Sequence, residues 1–304
     1  MCRVAFEDIP VIRERIQEMF MENVFGVQPD TAGGNPRHDG GAGHWFETQM
    51  GVTPNADNAP DLLGFECKNG TRSKTTFGDW EADYLIWRDP EMFPNLEDLA
   101  GGMRGANSPF RIQQSRNKDE VFLPAFGRHM ESDKTYTLNG QQVGWENNEY
   151  YSWSWIRKVE HGFSNEGQRI VINDDNSISV VYSYTHDARR DRDERVPEEF
   201  RIEDLTLVSW SERTLTDFVE NKFGVNGWFK GIIDRTTGRY TALIFGEPIT
   251  FDRFLEGVRD SHIYFDTRLK ERRPDNTDRF GMNWRANNTF WEEMADERFD
   301  PPLV

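Results

Sequence analysis

Pro60-Asp61-Leu62-Leu63-Gly64-Phe65-Glu66-Cys67-Lys68 is the stretch on which the fold turns. Leu62 to Lys68 is strand-like, with an interruption at Gly64. Side chains alternate along an extended strand, so Glu66 and Lys68 point the same way, about 7 Å apart. Phe65 and Cys67 then face the other side, toward a core, where a free cysteine packs as a small hydrophobe. Gly64 permits a sharp turn or bulge, which could bring Asp61 back beside Glu66. Two carboxylates that converge repel each other unless a cation neutralises them. Mg²⁺ suits such a place because it takes oxygen ligands: Asp61, Glu66 and the backbone carbonyl of Cys67, with Mn²⁺ able to substitute. Lys68 beside the metal could orient or deprotonate an attacking water and offset charge on a phosphate. A bare D-x(4)-E-x-K string is weak by itself, since a Glu–Lys pair on a solvated strand face accounts for it equally simply.

The neighbourhood adds weight. Upstream runs Gly41-Ala42-Gly43-His44-Trp45-Phe46-Glu47-Thr48-Gln49-Met50-Gly51-Val52, followed by Asn55 and then Pro60-Asp61. A glycine-rich approach, a helix bearing a Glu, a "G-(I/V)…N" stretch and "P-D-x-x-G-x-E-x-K" appear in order. In this run the chain resembles the MvaI/BcnI family of type II restriction endonucleases, relatives of the mismatch-repair nickase MutH within the PD-(D/E)xK nuclease superfamily. The resemblance implies Asp61, Glu66 and Lys68 as the catalytic triad and Glu47 as a further acidic residue near the metal. It implies an α/β (α+β) fold: a MutH-like nuclease core with a mixed sheet, in a bilobed clamp. The catalytic lobe is expected over about 1–130, completed by about 205–250, and a DNA-recognition lobe over 131–304. His44, where a loop enters a helix, could contact phosphate or the active-site water; a cap or surface role is the ordinary alternative.

A second resemblance lies toward the C-terminus, from His262 to Arg273 and from Arg279 to Ala286, where a glycine precedes a "W-R" segment, Trp284-Arg285. Its cations, Arg268, Lys270, Arg272, Arg273, Arg279 and Arg285, are of the type that binds phosphate and reads guanine. The bland counterpart is a solvated basic loop paired with the chain's many acids. Lys222 and Lys230 flank a helix-to-strand connection that resembles a second basic element of the MutH-like core; two surface lysines would look the same in sequence. Where the relatives carry an aliphatic residue between the Glu and the Lys, this chain has Cys67.

Composition sets the outer limits. The 304 residues carry a net charge of -17 and a pI near 4.8, whereas DNA-binding proteins are commonly basic. The cations are mostly arginine, 28 Arg against 8 Lys, which suits bidentate contacts to phosphate and guanine. Net charge is also not a map: an acidic exterior leaves room for a positive cleft. No apolar run approaches the roughly 18 residues of a membrane span. The charged N-terminus lacks the apolar region of a signal peptide. Two cysteines, Cys2 and Cys67, form no disulfide framework, and the chain reads as cytoplasmic.

Along the chain, Ile9, Ile12, Ile16, Met19 and Phe20 have helical spacing. A short helix is expected over about 44–50 and strands within 75–87. Asn139-Gly140 reads as a hairpin turn, and Gln168–Ile172 with Ile178–Tyr184 as a hairpin around Asp174-Asp175-Asn176. Ala188–Glu199 reads as a charged loop and Leu215–Phe223 as a helix ended by Gly224. Trp228–Ile233 and Tyr240–Phe245 read as strands joined at Arg235–Gly238, Phe251–Val258 as a helix, 267–289 as a polar stretch and 289–296 as a last helix. The expected activity is therefore Mg²⁺-dependent hydrolysis of double-stranded DNA at a short specific sequence by a monomer. Two alternatives stand beside it: a MutH-like repair nickase that needs partner proteins, and a non-catalytic acidic DNA mimic or protein-binding module on a nuclease fold.

Overall fold

The chain folds into two compact units that interleave in sequence. The computed structural model describes residues 9–29, 41–52, 58–70, 74–89, 91–92, 123–132, 135–138, 141–144, 148–153, 156–267, 269–270 and 281–302. The first unit combines Met1–Phe77, Arg213–Ile263 and Arg285–Val304; the second combines Gly78–Glu212 and Tyr264–Trp284. A boundary near residue 130 thus lies inside the second unit, and the first draws its strands from three separated segments.

The first unit contains helices α1 (Ile9–Asn23), α2 (Gly41–Gln49), α3 (Glu212–Phe223, from its second residue), α4 (Phe251–Arg259) and α5 (Asn288–Glu293). Its sheet is built from β1 (Glu66–Lys68), β12 (Trp228–Ile233), β13 (Tyr240–Gly246) and β17 (Ala295–Phe299), in that spatial order. The edge strand β1 runs parallel to β12, pairing Glu66 with Trp228, Cys67 with Phe229 and Lys68 with Lys230. The other pairs are antiparallel, so the sheet is mixed. The turn from β12 to β13 falls where the polar tetrad predicts it: Asp234 Oδ1 accepts from the backbone N–H groups of Thr236 and Thr237, and Gly238 takes φ +70°.

One face of this sheet carries the core expected of the α1 periodicity. Ile16 and Phe20 of α1 and Phe46 and Met50 of α2 bury themselves with Phe65, Cys67, Phe229 and Phe245. Cys67 behaves as the small core hydrophobe its strand position implies. An aromatic cluster lies elsewhere in the unit: Phe77 meets Phe223, Phe254, Phe290 and Trp291, and Trp291 meets Trp228 edge-on. Apolar burial on this scale, at roughly 25 cal/mol per Å², supplies the main favourable term for folding.

The second unit is dominated by an antiparallel sheet of β3 (Tyr84–Leu85), β11 (Leu205–Trp210), β10 (Ile178–Asp187) and β9 (Glu166–Ile172). The β9–β10 hairpin pairs Ile172 with Ile178. Asn176 takes the left-handed conformation in its turn, at φ +59°. The strands Thr135–Leu138 and Gln141–Gly144 pair as Asn139-Gly140 predicts; the turn residues lie outside the described set. Trp210 packs edge-on to Phe265 and Trp284. The expected charged loop contains a short helix at Arg192–Arg195. Two further differences concern the C-terminal part. Met282–Asn287 is a strand with alternating burial rather than irregular polar chain, and the last helix ends at Glu293, followed by β17. In the first, alternation of Met282, Trp284 and Ala286 with polar residues carries a period of two that the polar composition obscures. Among the described residues no helix is long and apolar enough to cross a membrane.

Candidate active site

The turn before β1 determines where the first carboxylate lies. Leu63 and Gly64 both take positive φ, 51° and 82°. The reversal closes with a bridge in which Leu62 and Phe65 exchange backbone hydrogen bonds of 2.9 and 2.8 Å. The chain folds back, and Asp61 Oδ2 accepts a 3.0 Å hydrogen bond from the backbone N–H of Cys67. The glycine thus acts as the sequence suggests: it turns the chain, and Asp61 returns to the strand that carries Glu66.

Glu66 and Lys68 share one side of β1, as alternation requires, and both are buried. Lys68 Nζ lies 2.6 Å from Glu66 Oε1. Lys222, from the last turn of α3, places its Nζ 3.0 Å from the same oxygen. One carboxylate oxygen is thus held between two ammonium groups. The other, Glu66 Oε2, is buried and has no hydrogen-bond partner among the described residues. Leaving a carboxylate oxygen buried without a donor is costly, so this atom stands ready for a cation or a donor from a ligand.

The electrostatics follow from crowding. Burial, followed by the charge of Glu66, pushes the Asp61 carboxyl up to about 6, with Lys68, the Cys67 N–H and Lys222 pulling the other way. Glu47, on α2, is raised chiefly by burial and then by Glu66, against the lowering effects of His44, Lys68 and Lys222. The side chain of His44 is exposed, with Nδ1 3.5 Å from Glu47 Oε2. Burial also pushes the Cys67 thiol well up, and Asp61, Glu47 and Glu66 add to it. The sulfur packs into the hydrophobic core, so Cys67 has its backbone to offer a metal.

These groups fit a hard cation. Glu66 N donates to Gly227 O at 3.0 Å, so β1 turns that edge to β12 and the N–H of Cys67 to Asp61. N–H and C=O of one strand residue leave on the same side, so the Cys67 carbonyl faces away from the β12 ladder, as Asp61 does. An unsatisfied Glu66 oxygen, a carboxylate with a raised pKa and an outward carbonyl make an all-oxygen donor set. Among the described residues no three His, Cys, Asp or Glu side chains gather tightly enough to enclose an ion. Mg²⁺ needs no such cage, since it commonly binds through one or two carboxylates plus water and phosphate.

Of the other expected residues, Lys230 sits beside Lys68 in register but is buried, its Nζ 2.7 Å from Asn288 Oδ1. Burial lowers it to about 8, with Glu292 opposing. Arg285 is half-buried in the first unit and donates through Nη1 to Thr76 Oγ1. Arg268, Arg272, Arg273 and Arg279 lie outside the described residues; Lys270 lies in the strand Leu269–Lys270, whose backbone pairs with Trp153 and Ser152. The Lys222–Glu66 contact spans two segments distant in sequence. The hint in the sequence was the resemblance of the connection flanked by Lys222 and Lys230 to a second basic element of the MutH-like core.

The known proteins that this chain resembles are restriction endonucleases. Over nearly its whole length the chain superposes on MvaI restriction endonuclease bound to its cognate DNA substrate. The TM-score is 0.50 with 12% identity, covering 98% of this chain and 99% of MvaI, which supports the fold. The type II restriction enzyme ScrFI of Lactococcus lactis subsp. cremoris is 33% identical over 300 residues, 94% of this chain and 97% of ScrFI. The sequence profile of the LlaMI restriction endonuclease family matches residues 25–104 and 116–299. The expected α+β nuclease fold with a mixed sheet, and the resemblance to restriction endonucleases read from residues 41–68, both hold. With two separated matches that together take in most of its length, the chain belongs to the LlaMI restriction endonuclease family.

Proposed function

We propose that this chain is a type II restriction endonuclease that hydrolyses phosphodiester bonds at a short specific sequence in double-stranded DNA, acting in the cytoplasm as a monomer. The observation that carries the catalytic assignment is the Glu66 carboxylate, with one oxygen between Lys68 and Lys222 and the other buried without a donor, beside Asp61.

Asp61, Glu66 and the Cys67 carbonyl would hold Mg²⁺, for which Mn²⁺ can substitute. When bound, the metal supplies Lewis-acid polarisation of the phosphate and a more acidic water. The protein's own residues do the remainder. Lys68 fixes Glu66 and presents an ammonium to the attacking water and the pentavalent phosphate, whose charge it offsets. Lys222 holds the same Glu66 oxygen from the opposite element, so the carboxylate keeps its orientation when Lys68 turns to substrate. Glu47 adds negative charge at the edge of the site, steadied by His44. The C-terminal cations Arg268, Lys270, Arg272, Arg273, Arg279 and Arg285, with His44, form the proposed DNA-contact set: arginines suit phosphate positioning and, where bidentate, guanine readout.

Incubation with phage DNA and Mg²⁺, followed by sequencing of the fragment ends, tests the reading. Discrete ends at one short sequence are expected from the wild type and none from Lys68→Ala. Double-strand cutting without helper proteins separates it from a repair nickase. Random degradation, or cleavage by folded Lys68→Ala at the wild-type rate, overturns it.

A further inference from the structure

The reversal that returns Asp61 to β1 is intrinsically unfavourable. Leu63 is a γ-branched residue in the left-handed region and half-exposed, so no packing of its own side chain into a core secures it there. Besides the Leu62–Phe65 bridge within the turn, the conformation is held from outside the segment, by the loop between α3 and β12. Asn226 is almost fully buried, at 3% exposure. Its Nδ2 donates to the carbonyl of Leu63 at 2.9 Å, and its backbone N–H donates to the carbonyl of Gly64 at 3.0 Å. The next carbonyl along, that of Gly227, accepts from Glu66 N at 3.0 Å. One short loop thus fixes both carbonyls of the left-handed pair and the first N–H of β1.

The fit at this place is close. A Cβ on Gly64 would stand 2.6 Å from Asn226 Nδ2, so the glycine is required by the approach of Asn226 as well as by its φ. Asn226 holds the two central residues of the turn, and the Asp61–Cys67 hydrogen bond joins the residues that flank it.

We infer that Asn226 is a positioning residue for catalysis: by fixing the Leu63 carbonyl it holds the left-handed turn that sets Asp61 beside Glu66. The inference rests on the reading of Asp61 as a metal-binding carboxylate. Asn226 itself touches neither substrate nor metal, and acts through the geometry of the turn. Residues that orient such ligands typically matter by about 10–100-fold in activity or metal affinity.

The test uses Asn226→Ala and the isosteric Asn226→Asp, which removes the donor without opening a cavity. Three quantities are measured on the full chain: turnover with Mg²⁺, DNA affinity in EDTA, and amide hydrogen exchange without metal. Both variants are expected to lose about 10–100-fold in turnover, with DNA affinity in EDTA unchanged. Exchange at the Cys67 amide should accelerate while the Phe229 and Phe245 amides stay protected. A structural defect alone would instead release β12 and β13 together. Leu63→Gly makes the turn permissible without help, so added to Asn226→Ala it should restore part of the lost turnover and of the Cys67 protection. Wild-type turnover in the Asn226 variants, or unchanged Cys67 exchange, overturns the inference. Asp61→Asn distinguishes the two levels. If it cuts normally, the assignment of Asp61 fails; if it is inactive while the Asn226 variants cut normally, only the role of Asn226 fails.

Discussion

Replacing Asp61 by Asn should make the metal-free protein more stable while abolishing its activity. The Asn side chain keeps an oxygen to accept the Cys67 N–H but carries no charge. In the wild type, burial and the neighbouring Glu66 raise the Asp61 carboxyl from 3.8 to about 6. A carboxyl whose folded pKa is raised favours the folded state only while protonated. Below pH 3.8 the group is neutral in both states and costs nothing. As pH rises through about 4 to 6, the unfolded chain ionises freely and the folded one resists, so stability falls. A rise of that size corresponds to up to about 3 kcal/mol at neutral pH. Urea unfolding in EDTA at pH 7.5 is therefore expected to show Asp61→Asn as the more stable protein by up to about 3 kcal/mol. The difference should shrink steadily toward pH 4. Adding Mg²⁺ should reverse the order, because only the wild type retains the full ligand set. An Asp61→Asn protein that is less stable than the wild type at pH 7.5, or a difference that does not change with pH, refutes the electrostatic account of this site.

Other expectations follow from the same geometry. Cleavage should require Mg²⁺ or Mn²⁺ and stop in EDTA, while Ca²⁺ supports DNA binding with little cutting; steady-state cleavage in each ion checks this. Lys222→Met should reduce turnover by about 10-fold or more while leaving DNA affinity in EDTA nearly unchanged, since Lys222 holds the Glu66 carboxylate proposed as a metal ligand. Arg285→Ala should weaken DNA binding and lower the slope of log K against log salt by about one, as loss of one phosphate contact requires. An unchanged slope with lower stability would make Arg285 only a partner of Thr76.

The sequence made some of this legible, for identifiable reasons. Glu66 and Lys68 could be set on one side of a strand because alternation is a local rule, and Gly64 marked the reversal because few other residues tolerate φ +82°. The strands Trp228–Ile233 and Tyr240–Gly246, with the turn at Asp234–Gly238, were equally local. What could not be read was pairing. Nothing in β1 announces that it lies parallel to β12, or that Lys222 reaches Glu66 from a helix more than a hundred positions later. Asn226 was invisible for the same reason: its partner is a backbone carbonyl, which has no residue type to recognise. The strand Met282–Asn287 was hidden differently: the polar Asn283, Arg285 and Asn287 mask the period of two carried by the buried Met282, Trp284 and Ala286 between them.

The interleaving of the first unit also bears on how such an enzyme is made. Asp61, Glu66 and Lys68 leave the ribosome before the strand that β1 pairs with, the helix that carries Lys222 and the loop that carries Asn226. The sheet they share is completed by β17, close to the C-terminus. Contacts between such distant segments form only after the intervening chain exists. A nascent or prematurely released chain therefore carries the acidic residues of the site but has nothing to hold them in register. The carboxylates of the proposed site thus gain their partners only when segments far downstream in the chain, β12 and the end of α3, are in place.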